Sequence, residues 1–114
     1  MRVLITGAGG QVGTELVATF AAAGHDVVAF TRAELDITSR DAVRAAVVEN
    51  RPDAIVHPAA WTAVDACESD PDRAFLVNGL ATRFIAESAA LVEAPVYYVS
   101  TDYVFDGTKA EPYV

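Results

Sequence analysis

The chain has 114 residues, 53% of them hydrophobic, with a mean hydropathy of +0.27 and a formal net charge of −8. That composition excludes a disordered chain and allows one domain with a real core. The acidic balance argues against a general nucleic-acid binder, while leaving room for a phosphate held locally by backbone amides at a helix start. No apolar run reaches the ~18 residues of a membrane span, so neither a membrane anchor nor a secretory signal is expected. The one cysteine, Cys67, gives no disulfide framework and fits a reducing cytoplasm.

In chain order, apolar strand-like runs alternate with helical patterns. Val3 to Thr6 reads as the first strand, and Gln11 to Ala23 as a helix with Val12, Leu16, Val17 and Phe20 on one face and Gly24 as its stop. Asp26 to Thr31 is a second strand, whose Val-Val-Ala-Phe core suggests burial on both faces. Leu35 to Thr38 has room for a very short third strand. Ser39 then caps a helix running to about Asn50, with Pro52 just beyond its end. Ala54 to His57 is a fourth strand, and Trp61 to Asp70 reads as loop. A long helix from about Pro71 to Val92 is stopped by Ala94-Pro95, and Val96 to Ser100 forms a fifth strand. The tail from Asp106 to Pro112 is turn chemistry. This alternation predicts an α/β, Rossmann-like, doubly wound parallel sheet with strand order 3-2-1-4-5, its ligand at the carboxyl ends of the strands beside the first strand.

The strongest local signal is Thr6-Gly7-Ala8-Gly9-Gly10-Gln11-Val12-Gly13, where a strand passes through a glycine turn into a helix. Gly7, Gly10 and Gly13 divide three tasks: a tight turn, backbone approach to a pyrophosphate, and close packing of helix on strand. Exposed amides at Gln11 and Val12, with the helix dipole, favour the pyrophosphate. A plain structural turn is the alternative, but its place between strand and helix supports dinucleotide binding. An acidic residue at the end of the second strand would favour NAD. Thr31-Arg32 stands there instead, and Arg32 suits a 2′-phosphate, so the reading leans to NADPH, with NADH as the alternative and a solvated surface arginine as the plainer one.

The motifs together resemble the dTDP-4-dehydrorhamnose reductase family of extended short-chain dehydrogenase/reductases. Pro58-Ala59-Ala60-Trp61-Thr62-Ala63-Val64-Asp65 with Glu68-Ser69 is similar to that family's alanine-rich loop. Val77-Asn78 lies at its V-N position, and Ser100-Thr101-Asp102-Tyr103-Val104-Phe105-Asp106-Gly107 matches its S-T-D-Y-V-F-D-G signature throughout. The resemblance implies NADPH-dependent reduction of the 4-keto group of dTDP-4-dehydro-β-L-rhamnose, giving dTDP-β-L-rhamnose for cell-surface glycans. It implies that Gly10, Gln11 and Val12 bind pyrophosphate, that Asp36 and Ile37 meet the adenine, and that Ala60, Trp61 and Thr62 line the cofactor, with Val99 near the nicotinamide side. Thr101 would polarise the substrate ketone, and Thr101 and Asp102 would contact substrate. A hydroxyl at the carboxyl edge of the sheet suits this, because hydride addition creates an alkoxide that a donor stabilises. An ordinary β-branched strand residue is the plainer reading of Thr101.

Several residues depart from the family or carry a plainer explanation. His57 stands where the family usually has Asn, and Pro58 where it has Ala. His57 reads as a packed, hydrogen-bonded histidine, with a general acid as the alternative. His25 reads as an exposed turn residue, Cys67 as a small buried or loop residue, and Asp70, Asp72 and Glu68 as solvated charge at a helix start. Glu15 coincides with an inter-subunit magnesium position of some family members, but no metal is expected from these residues alone. The family's Tyr-x-x-x-Lys acid does not occur here; Tyr97, Tyr98 and Tyr103 are followed at the fourth position by Thr101, Asp102 and Gly107. The expectation is therefore an N-terminal dinucleotide-binding domain, residues 1–114, whose later strands, acid motif and sugar-binding domain lie past Val114, with a homodimer permitted. Two other functions compete: a regulatory subunit that binds dinucleotide without turnover, motivated by the missing acid motif, and another sugar-nucleotide reductase or epimerase, which explains Ser100 to Gly107 poorly.

Overall fold

The computed structural model describes residues 1–113 and shows a four-stranded, all-parallel sheet. The strands are β1 (Arg2–Thr6), β2 (Asp26–Phe30), β3 (Ala54–His57) and β4 (Val96–Tyr98), in the order β2-β1-β3-β4. The helices are α1 (Gln11–Ala22), α2 (Arg40–Asn50), α3 (Val64–Ser69), α4 (Pro71–Phe75) and α5 (Ala81–Ala90). Val3 pairs with Val27 on one side and Ala54 on the other, and Val56 pairs with Tyr97, so β1 and β3 are the interior strands. Their apolar runs follow from that place: Val3, Leu4, Ile5 and Ile55 are wholly buried.

Alternation along the strands divides the core in two. Leu4 and Ile55 face Leu35, Val43 and Val47 of α2, and Ile85 and Ala89 of α5. Val3, Ile5 and Val56 face Leu16, Val17 and Phe20 of α1. Helices thus cover both faces, as a doubly wound sheet requires. Local chemistry sets the ends. Gly24 adopts φ +79 after α1, and the Ser39 hydroxyl accepts from the Ala42 amide to cap α2.

Several expectations need correction. Residues 35–38 are no strand but hold a turn at 37–38: the Asp36 carboxylate accepts from both the amide (2.9 Å) and hydroxyl (2.6 Å) of Thr38, bending the chain while Leu35 drops into the core. The predicted order 3-2-1-4-5 without that strand is the observed order. β2 is half-buried rather than buried on both faces, because it lies at an edge of the sheet. Val12 is exposed at the start of α1, outside the packed face. His25 is half-buried, its ring 5.6 Å from that of Phe20. Part of the expected 61–70 loop is helix α3. The expected 71–92 helix exists but is interrupted: Leu76–Leu80 forms a π-helical turn between α4 and α5. Asp70 is more than solvated charge, since its carboxylate caps α4 by accepting from the Arg73 amide at 3.1 Å. The fifth predicted strand ends at Tyr98, two residues early.

Candidate dinucleotide-binding cleft

The chain leaves β1 towards β2 on one side of the sheet and later returns to β3 on the other, so a crevice opens above the carboxyl ends of β1 and β3. The glycine turn forms its edge. Gly7 adopts φ +59, and a Cβ there would lie 2.9 Å from the Ala59 Cα, so neither conformation nor space admits a side chain. The Ala8 amide donates to the Phe30 carbonyl (3.0 Å), tying the turn to β2, and the Gly10 amide donates to the Gly7 carbonyl (3.0 Å). Gly13 is buried in the first turn of α1, where a Cβ would collide with the Gly7 carbonyl oxygen and lie 2.8 Å from the Ala8 Cα. Gly10 is the N-cap of α1 and has no side chain to satisfy the first amides, while Gln11 and Val12 are exposed.

A cleft of about 720 Å³ runs from this turn. Of the residues expected at a cofactor, Gly7, Gly10, Thr31, Arg32, Asp36, Ile37, Ala60 and Trp61 line it. Gln11, Val12 and Gly13 occupy the adjoining first turn of α1, but do not line it. Neither do Thr62, Val99, Thr101 and Asp102. Thr101 and Asp102 follow β4 on the same carboxyl edge of the sheet and are exposed. There the Thr101 hydroxyl accepts from the Tyr103 amide and donates to the Asp102 carboxylate, both at 3.2 Å, capping a short 3-10 turn.

Past β2 the cleft wall carries Arg32 and Asp36, and Glu34 lies behind it, bonded to the wall residue Thr31. The Glu34 carboxylate accepts from the Thr31 amide (2.9 Å) and hydroxyl (2.7 Å), and those bonds hold its pKa below the usual value. The Asp36 carboxyl is also lowered, first by its bonds to Thr38 and further by the Arg32 charge. Arg32 and Arg73, both on the cleft, pair with no carboxylate among the described residues.

The floor was less visible in the sequence. His57, at the end of β3, is completely buried. His57 Nδ1 shares a hydrogen bond with the Thr6 hydroxyl at 2.6 Å, and Nε2 lies 3.5 Å from the Thr82 hydroxyl, which also donates to the Asn78 carbonyl (3.4 Å). The Tyr98 ring stacks on the imidazole, 5.7 Å between centroids. Burial disfavours the charged ring and pushes its pKa down to about 4. His57 is therefore a neutral, hydrogen-bonded core histidine holding β1 and β3 together beneath the turn.

Trp61 is clamped by a residue seventeen positions later. Asn78, in the π-helical turn, accepts from the Trp61 amide (2.7 Å) and donates to the Trp61 carbonyl (2.9 Å); the half-buried Cys67 thiol donates to the same carbonyl (3.4 Å). The Arg73 guanidinium lies over the indole, 4.6 Å from its centroid. Asn78 was legible only through its V-N position, and nothing local pointed to Arg73.

A parallel sheet whose central strand ends in this three-glycine turn, with a cleft at the reversal of strand order, defines a Rossmann-type α/β fold. The family described as RmlD substrate binding domain matches residues 1–114. The chain is 47% identical to a dTDP-4-dehydrorhamnose reductase of Streptomyces griseus, over 98% of this chain and 37% of that protein. It is 46% identical to a dTDP-4-keto-6-deoxy-D-glucose reductase of Streptomyces niveus, over 98% of this chain and 39% of that one. Among solved structures it superposes on the dTDP-4-dehydrorhamnose reductase of Bacillus anthracis, in complex with NADP, with a TM-score of 0.92 and 42% identity, over 96% of this chain and 39% of that chain. The chain belongs to the dTDP-4-dehydrorhamnose reductase family, and it spans about two fifths of the length of these relatives.

Proposed function

We propose that the chain forms the dinucleotide-binding part, residues 1–114, of an NADPH-dependent reductase acting on the 4-keto group of dTDP-4-dehydro-β-L-rhamnose, in the cytoplasm. The observation that carries this reading is that one sheet edge bears both the glycine turn with its cleft and, past β4, the Ser100–Gly107 signature. The residues fit such a cofactor: backbone atoms crowd where side chains would block the turn, the first amides of α1 have no side-chain cap beside the cleft, and the cleft is of the size that small-molecule sites occupy. In this reading Gly10, Gln11 and Val12 hold the pyrophosphate, Asp36 and Ile37 the adenine end, Ala60, Trp61 and Thr62 the middle, and Val99 the nicotinamide side. Bound NADPH supplies the hydride. Thr101 donates its hydroxyl to the ketone oxygen as that oxygen gains negative charge, and Asp102 contacts the sugar nucleotide. For this, the Thr101 side chain must leave its present bond to Asp102.

These residues alone, without the acid motif, are expected to be inactive, so the test is NADPH oxidation by the complete protein when it is given the 4-keto sugar nucleotide, with Thr101→Val alongside. Thr101→Val is expected to reduce the rate by about two orders of magnitude, the usual consequence of losing one donor to a developing oxyanion. Equal rates would remove Thr101 from the chemistry. The similarity to the Streptomyces niveus protein supports a second reading, reduction of a different dTDP-4-keto sugar, so both sugars belong in the assay. Tight NADPH binding without oxidation of either mixture would favour the regulatory-subunit reading.

A further inference from the structure

The end of β2 is where Rossmann proteins distinguish NADH from NADPH: an acidic side chain there accepts from the adenosine ribose, whereas a cation there accommodates the 2′-phosphate. This chain places both at that point. Thr31 lines the cleft beside the glycine turn, its Cγ2 3.6 Å from where a Cβ on Gly9 would sit. Its amide and hydroxyl are two donors of the kind a phosphate oxygen takes, and both are given to the Glu34 carboxylate. Arg32, one residue along, contributes a positive charge, but Glu34 and Asp36 contribute two negative ones.

Resting on the dinucleotide reading, we propose that Glu34 is a coenzyme-selectivity residue: its carboxylate occupies the Thr31 donors that a 2′-phosphate would use, and so holds the preference for NADPH over NADH far below what Arg32 alone would set. With NADH bound the carboxylate stays on Thr31 and is an acceptor for a ribose hydroxyl. With NADPH bound it is a like charge that must give up Thr31 and withdraw into solvent. Glu34 is exposed, so that withdrawal is sterically free and its cost is electrostatic.

Glu34→Gln is the informative variant. The amide oxygen still accepts from Thr31, so the turn keeps its bonds while the charge goes. Both dinucleotides are titrated by fluorescence against the unaltered chain, Glu34→Gln and Arg32→Gln, at low and high salt. The unaltered chain is expected to favour NADPH over NADH by only a few-fold. Glu34→Gln should raise the ratio Kd(NADH)/Kd(NADPH) about tenfold, the scale for removing one charge beside a phosphate at a water-exposed site, and salt should shrink the gain. Arg32→Gln should lower that ratio. An unchanged ratio in Glu34→Gln overturns the proposal and leaves the dinucleotide reading standing. Equal weakening of both ligands also overturns it, because that marks a purely structural role. Failure of the unaltered chain to bind either ligand sinks the dinucleotide reading, and this one with it.

Discussion

His57 should make the protein acid-sensitive within a narrow and separable range. Its ring is fully buried between Thr6 and Thr82 under Tyr98, with a pKa pushed down to about 4 against an ordinary 6.5. A base whose pKa falls on folding binds more protons in the unfolded chain. Stability is therefore intact above 6.5 and is lost as pH falls from 6.5 towards 4. Taking those two values, the loss between about pH 7.5 and about pH 5 is ~2 kcal/mol, from the ratio of protonated fractions in the two states. The lowered carboxyls of Glu34, Asp36, Glu87 and Asp106 have ordinary values of 4.5 or 3.8, so they lose their contribution mostly below pH 5. Urea unfolding at both pH values, for the unaltered chain and His57→Asn, isolates the histidine. Asn cannot titrate, so its loss should be smaller by about 2 kcal/mol whatever its absolute stability. If the two proteins lose the same amount, the ring is not buried as a neutral base and the reasoning fails.

Other substitutions report on the same assembly. Gly13→Ala would gain about 1 kcal/mol of helix propensity, but a methyl against fixed backbone atoms of Gly7 and Ala8 costs more, at the upper end of the ~1–3 kcal/mol for overpacking. A net loss of about 2 kcal/mol in urea unfolding, with abolished dinucleotide binding, is the expected result, and a stabilised protein would contradict the close approach. Asn78→Ala leaves the amide and carbonyl of Trp61 unpaired and should cost about 1–3 kcal/mol. Asn78→Asp should be no better, because its carboxylate faces the Trp61 carbonyl that the amide nitrogen had served; full stability in that variant would refute the two-bond clamp.

What could be read from the sequence was what residues do locally. The Gly7–Gly13 turn shows in the spacing of its own glycines, and the apolar runs of β1 and β3 announce interior parallel strands by composition alone. Leu35 to Thr38 misled because a buried Leu35, an exposed Asp36 and a half-buried Ile37 mimic strand alternation, while the Asp36–Thr38 turn that overrides it is a side-chain effect. Helix α3 was missed because six residues starting at an uncapped Ala63 show neither a cap nor two turns of periodicity. The Trp61–Asn78 clamp and the His57 bonds to Thr6 and Thr82 join distant positions, so no window along the chain contains them.

The π-helical turn at Leu76–Leu80 has a consequence for how this region can vary. One extra residue in a helix advances everything beyond it by about 100° around the axis. Arg73 upstream, with Leu76 and Val77 at the start of the turn, faces the cleft; downstream, Ile85 and Ala89 face the core. The turn acts as a phase shifter, so two surfaces that one regular helix would lock together are set independently. Residues on the cleft side are free to diverge with the ligand while the core side keeps its packing. Deleting a single residue here would put the two halves back in step, swinging Asn78 away from Trp61 and freeing that part of the cleft wall. Length in this turn, more than the identity of its side chains, is thus the quantity that the fold has to preserve.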